Sequence, residues 1–217
     1  MMIKTFRTFL LLGGLMTLSL FAHGQALHDA VQNNDIEAVT QLAIKENLEI
    51  RDHQQNTPLM LATQKNNAKI AEILILAGAD VNAKNSIQDT PHLLSGAQGY
   101  NEILALTLAH GANLKDTNRY GGTAIIPAAE KGHPETVKML LAAGADPDHV
   151  NNLGWTALME AVLLGNGSQT YLDIVTILLK GGANPNIPDN DGVTPFKYAK
   201  QKGFEDIATV IQQHGGR

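Results

Sequence analysis

Residues 151–167, NNLGWTALMEAVLLGNG, hold the only tryptophan of the chain, Trp155, and a single acid, Glu160, inside an apolar run. Two readings compete: a pocket in which a carboxylate does chemistry, or one turn of a repeating unit. The rest of the sequence decides between them. The Thr-Ala pair that opens the run, Thr156–Ala157, recurs as Thr-Pro or Thr-Ala at Thr57–Pro58, Thr90–Pro91, Thr123–Ala124 and Thr194–Pro195. A second marker, Gly-Ala, stands at Gly78–Ala79, Gly111–Ala112, Gly144–Ala145 and Gly182–Ala183. Both advance by 33 residues and both end on one step of 38. Two independent markers that stay in phase and share one five-residue insertion define a repeat.

Each unit reads alike. A polar turn such as NNLG or NDG comes first. Thr follows as helix N-cap, its hydroxyl placed to accept a backbone N–H of the first turn. Pro next to it suits the first helical position, where no N–H is needed. A short Ala- and Leu-rich helix ends at a breaker, as at Gly99, Gly132 and Gly203. A longer amphipathic helix such as PETVKMLLAAG puts Val137, Leu140 and Leu141 on one face. Gly-Ala-Asp/Asn then leads into an extended segment such as ADVNAK. The insertion falls in GNGSQTYLD, between the two helices of its unit, where Asn166–Gly167 suits a tight loop. Tyr171 either lies on the second helix or reaches a partner.

The 33-residue period, together with DTP, EKGHPETVKMLLAAGADPD and GADVNAK, resembles the ankyrin repeat. The resemblance implies an all-α fold, an ankyrin-repeat α-solenoid with β-hairpin-like loops. It would hold six units: an N-terminal cap at 26–51, repeats at 52–84, 85–117, 118–150 and 151–188, and a C-terminal cap at 189–217. One family feature is missing throughout. Where the family often has the His of Thr-Pro-Leu-His, this chain has Met60, Leu93, Ile126, Met159 and Lys197. Apolar packing between repeats is expected to replace that histidine network in the first four. His133 stands where the family commonly has a structural His.

Composition narrows the function. The chain is 44% hydrophobic and 17% charged, a globular balance and not a disordered one. A net charge of −5 without a basic cluster argues against nucleic acid. The absence of cysteine excludes disulfides, thiolate metal sites and a Cys nucleophile. The eight histidines are scattered singly, so neither a metal nor a cofactor is expected. No phosphate-binding loop, G-x-S-x-G or H-E-x-x-H motif is present. Residues 1–24 have the layout of a secretory signal peptide. Lys4 and Arg7 precede an uncharged stretch, and AHG ends it with cleavage expected after Gly24. The apolar stretch is shorter than the ~20 residues a bilayer span needs. The domain would then be 25–217, monomeric, periplasmic or secreted, free of the membrane, with 14 basic against 21 acidic residues and a charge of −7.

Glu160 lies four residues after its Thr, equivalent to Leu61, Leu94, Pro127 and Tyr198. It reads either as a structural hydrogen-bond acceptor for a neighbouring loop or as a buried acid that meets a partner. Nothing at a fixed spacing makes it half of an acid–base pair. In ankyrin proteins the hairpin tips and the exposed face of the first helix form a concave partner surface. Carried over position by position, it begins with residues such as His53, Gln54 and Asn56 and continues through Ile87, Asp89 and Gln98. Its expected centre is Arg119, Tyr120, Glu130 and Lys131 with Asn152, Leu153, Trp155, Leu163 and Leu164. Trp, Tyr and Arg are the side chains most often found as interface anchors. The expected function is a non-enzymatic protein–protein interaction module in the periplasm. The alternatives are an immunity or protective factor that occludes a toxin or chaperones an exported enzyme, and a secreted effector acting on host proteins.

Overall fold

The computed structural model describes residues 25–217, so the expected signal peptide lies outside the described residues. They divide into two compact units, 25–80 and 81–217. The first holds α1 (residues 25–32), α2 (Ile36–Ala43), α3 (Pro58–Gln64) and α4 (Ala68–Leu76). In it α4 packs against both α2 and α3. The second holds α5 (Pro91–Gln98), α6 (Asn101–Ala109), α7 (Ile125–Glu130), α8 (Pro134–Ala142), α9 (Ala157–Leu163), α10 (Gln169–Lys180), α11 (Pro195–Gln201) and α12 (Glu205–Gln213). Here the short helices α5, α7, α9 and α11 stack in chain order, and so do the longer helices α6, α8, α10 and α12. The result is two helical layers, with Ile125, Leu140, Leu158, Ile174 and Leu178 among the fully buried residues between them.

The expected threonine caps form at four of five positions. Thr57, Thr90, Thr156 and Thr194 accept from the backbone N–H of Met60, Leu93, Met159 and Lys197. In each of these units the residue four beyond the threonine also donates its N–H to the threonine carbonyl: Leu61, Leu94, Glu160 and Tyr198. The third repeat departs from this. Its residue at that position is Pro127, which has no N–H to give. Helix α7 therefore starts one residue later, capped by Ala124, and the Thr123 carbonyl accepts from Ile126 instead. The Thr123 hydroxyl is left as the one buried side-chain polar atom without a partner among the described residues.

The hairpin-like loops are tight turns; no strand occurs among the described residues. Each turn is built on one Asp or Asn. The Oδ1 atoms of Asp52, Asn85, Asn118, Asn151 and Asp189 each accept two backbone N–H groups, two and four residues ahead. Their own N–H groups donate to the carbonyl four residues ahead, closing the turn. The residue three ahead has a positive φ. It is Gly121, Gly154 and Gly192 in three turns but Gln55 (φ 62°) and Gln88 (φ 67°) in the other two.

The slots that lack the family's histidine behave as expected. Met60, Leu93, Ile126 and Met159 are all buried, while Lys197 is exposed. The five-residue insertion has a definite role. Helix α10 has 12 residues where α4, α6, α8 and α12 have nine. Tyr171, in its first turn, packs over Gly165, where a Cβ would come within 2.6 Å of the ring. Its hydroxyl donates to the Glu130 carbonyl at 2.8 Å. Tyr171 thus ties the lengthened helix to the end of α7.

Candidate functional site

Within 81–217, the turns and the inner helices enclose two neighbouring clefts that share Asn118, Tyr120, Pro127 and Glu130. One, of about 270 Å³, is lined by Tyr120, Ile126, Pro127 and Glu130 on one side and by Leu153, Trp155, Glu160 and Leu164 on the other. The other, of about 380 Å³, is lined by Ile87, Asp89, Leu94 and Gln98 together with Arg119, Tyr120, Glu130 and Lys131. Seven of the nine residues expected at the centre of the partner surface therefore line one cleft or both.

Asn152 and Leu163 line neither. The Asn152 N–H donates to the Tyr120 carbonyl at 3.0 Å, joining successive turns, and its carboxamide occupies the space a Cβ on Gly121 would need. Leu163 is half-buried, whereas Leu164 is 50% exposed. Asn56, placed on the surface by its position in the repeat, is fully buried. Its carboxamide donates to Asp52 Oδ2 and Gln54 Oε1 and accepts from Gln64, so it braces its own turn. Several lining residues lay outside the sequence-based surface, among them Ile126, Pro127 and Leu94. Pro127 and Leu94 occupy the position equivalent to Glu160, so the repeat register itself holds the signal for them.

Tyr120 is the most exposed aromatic residue of this face, at 54%, and Arg119 lies over its ring at 4.6 Å from the centroid. That cation–π contact orients the phenol at the crest between the clefts. Trp155 is half-buried. Asp89, in the larger cleft, has its carboxyl raised by burial, against the opposing pull of Arg119 and Lys131.

Glu160 is 5% exposed and accepts a 2.7 Å hydrogen bond at Oε1 from Asn151 Nδ2. The structural-acceptor reading holds, with the donor in its own unit's turn and not in a neighbouring loop. The same pairing recurs with reversed polarity in the last unit, where Tyr198 donates to Asp189 Oδ2 at 2.5 Å. Asn151 at the turn meets an acceptor; Asp189 meets a donor. Burial, then the charge of Glu130, push the Glu160 carboxyl up to about 7, against the opposing effect of the Asn151 bond. No His, Lys, Ser, Thr or Cys lines the cleft beside it. No group of three His, Asp or Glu among the described residues is placed to hold a metal ion. No helix among them is long and apolar enough to cross a membrane.

The chain matches the family model for ankyrin repeats (three copies) over residues 9–85 and 92–189. An ankyrin repeat domain from Acinetobacter baumannii AYE is 54% identical, with a TM-score of 0.86 over 88% of this chain and 98% of that one. The ankyrin repeat protein EF0377 is 45% identical, with a TM-score of 0.85 over the same shares. The ankyrin repeat domain of Bcl-3, of the IkappaB family, is 29% identical, with a TM-score of 0.80 over 88% of this chain and 86% of that one. The putative ankyrin repeat protein YahD of Escherichia coli K12 is 40% identical over 52 residues, 24% of this chain and 26% of that protein. With the family model matching most of its length and relatives of this identity covered almost in full, the chain belongs to the ankyrin repeat family.

Proposed function

We propose that this chain is a non-enzymatic module that binds a protein partner through the turn-and-inner-helix face of residues 81–217, and that it does so in the periplasm. Ankyrin repeats are generally protein–protein interaction modules, and the fold is typically non-enzymatic. The observation that carries the reading is the pair of clefts meeting at Tyr120, with Arg119, Leu153 and Trp155 beside it. These are rigidly mounted anchors of the kind that dominate protein interfaces. A stacked repeat presents them with little ordering cost on binding. The periplasmic part rests on the basic, apolar and small-residue layout of residues 1–24.

The test is capture from periplasmic extract by residues 25–217, run beside the double variant Tyr120→Ala, Trp155→Ala. One protein held by the first and lost by the second, with helical content unchanged, is the expected result. Equal capture by both would place binding on another face. N-terminal sequencing of the exported chain checks the cleavage, with Gln25 expected as the first residue.

A further inference from the structure

The smaller cleft has a chemistry its neighbour lacks. No lysine, arginine or histidine lines it, yet two carboxylates do. Glu130 makes no ion pair or side-chain hydrogen bond among the described residues. Glu160, 5% exposed, uses Oε1 for Asn151, while its Oε2 has no hydrogen-bond partner among the described residues. Thr123 Oγ1 is the one fully buried side-chain polar atom without a partner among the described residues, so this oxygen keeps some accessible area, and the cleft that Glu160 lines is what lies before it. The walls around the two acids are apolar and aromatic: Trp155, Tyr120, Pro127, Ile126, Leu153 and Leu164. A volume of about 270 Å³ suits one long side chain and not a folded element.

From this juxtaposition we propose that the cleft takes a lysine or arginine side chain from the protein partner, its stem against Trp155 and Pro127 and its cationic head between Glu160 Oε2 and Glu130. The proposal rests on the protein-binding reading and names the chemistry that face selects. An aliphatic stem ending in a charge matches an apolar wall with an anionic floor. Tyr120 and Trp155 add their ring faces, which attract cations. The charged hydrogen bond satisfies the open oxygen of Glu160, and the cation removes the repulsion between the two acids. The segment carrying that residue continues past Tyr120 into the larger cleft, which shares Pro127 and Glu130 with the first.

Trp155 is the only tryptophan, so its indole N–H resonance reports this cleft alone. The probes are the acetylated, amidated heptapeptide AAAKAAA, the same peptide with arginine, norleucine or glutamate at its centre, and free cadaverine. The expected result is a saturable shift of the indole resonance by the lysine and arginine peptides, about fivefold or more tighter than by norleucine. The preference disappears in Glu160→Gln and weakens in Glu130→Gln. Glu130 is only half-buried, so its variant keeps the test alive if Glu160→Gln fails to fold. Equal binding of norleucine and lysine, an unchanged preference in the folded variants, or no shift by any peptide up to about 5 mM overturns the proposal. Cadaverine binding as tightly as the lysine peptide overturns the partner side chain as the source of the cation. If the captured partner is lost by Tyr120→Ala, Trp155→Ala but retained by both glutamine variants, the binding face stands and the cation subsite does not.

Discussion

Two buried titratable residues, on α9 and α5, pull the stability of this protein in opposite directions with pH. Glu160 has an ordinary carboxylate value of 4.5 when unfolded and about 7 when folded. Between those values the folded chain keeps a proton that the unfolded chain has released. Its contribution is therefore full below pH 4.5 and lost as pH rises through 7. His92 is 1% exposed, bonded through Nδ1 to the Thr107 hydroxyl, and burial brings it from 6.5 down to about 4. Its contribution is full above pH 6.5 and lost as pH falls through 4. In the shared window the two slopes oppose. His92→Leu places at this position the residue already found at Leu59 and Leu158. It should leave a melting temperature that falls from pH 4.5 to 7, and Glu160→Gln one that rises from pH 4 to 6.5. Thermal melts followed by circular dichroism across pH 4–8 check both. A His92→Leu profile parallel to the parent chain would show that His92 does not titrate in this way.

At the scale of the repeat element, one hydrogen bond recurs and then skips. Glu49 accepts from the Asp80 N–H, Asn82 from Asn113, Asp148 from Asn184 and Asn186 from Arg217. Each joins the segment after one outer helix to the matching segment of the next unit. The register between Asn82 and Asp148 falls on Lys115, whose ammonium cannot accept. Lys115→Asn restores an acceptor at an exposed position where the local turn, closed by Asn113 Oδ1, is already formed. It should stabilise by about 0.5–1.5 kcal/mol, read as a higher urea midpoint at unchanged slope. An unmoved midpoint would mean that the Asp146 N–H loses nothing by facing water. This ladder was not legible in the sequence, because its partners are 31 to 36 residues apart and only the stacking brings them together. Tyr171–Glu130 escaped for the same reason. The caps and breakers were legible because Thr and Gly act on the backbone beside them. Most of the face was legible because position within a repeat dictates which way a side chain points. Asn56 shows where that rule fails: a short carboxamide can turn inward to its own turn.

On the scale of the whole molecule, a stack of this kind has no central core; each layer is held by the layers beside it. In residues 81–217 helix α8 illustrates the consequence. It packs against α7 of its own unit, against α10 of the next and against α5 and α6 of the one before. Leu140 is its fully buried centre, 0% exposed, with Val137 beside it. Truncation to alanine removes contacts on both sides of the layer, and two rigid neighbours cannot collapse onto the void. Leu140→Ala should therefore cost about 2–5 kcal/mol in urea unfolding. Coupling through neighbours adds a spatial expectation: hydrogen exchange should accelerate most in α7, α8 and α10, whose contacts meet at this layer. A uniform rise across all helices of 81–217 would instead mean that these layers unfold as one cooperative block. A cost under about 0.5 kcal/mol, the usual range for a surface substitution, would contradict the burial of this face of α8 and the stacking built on it.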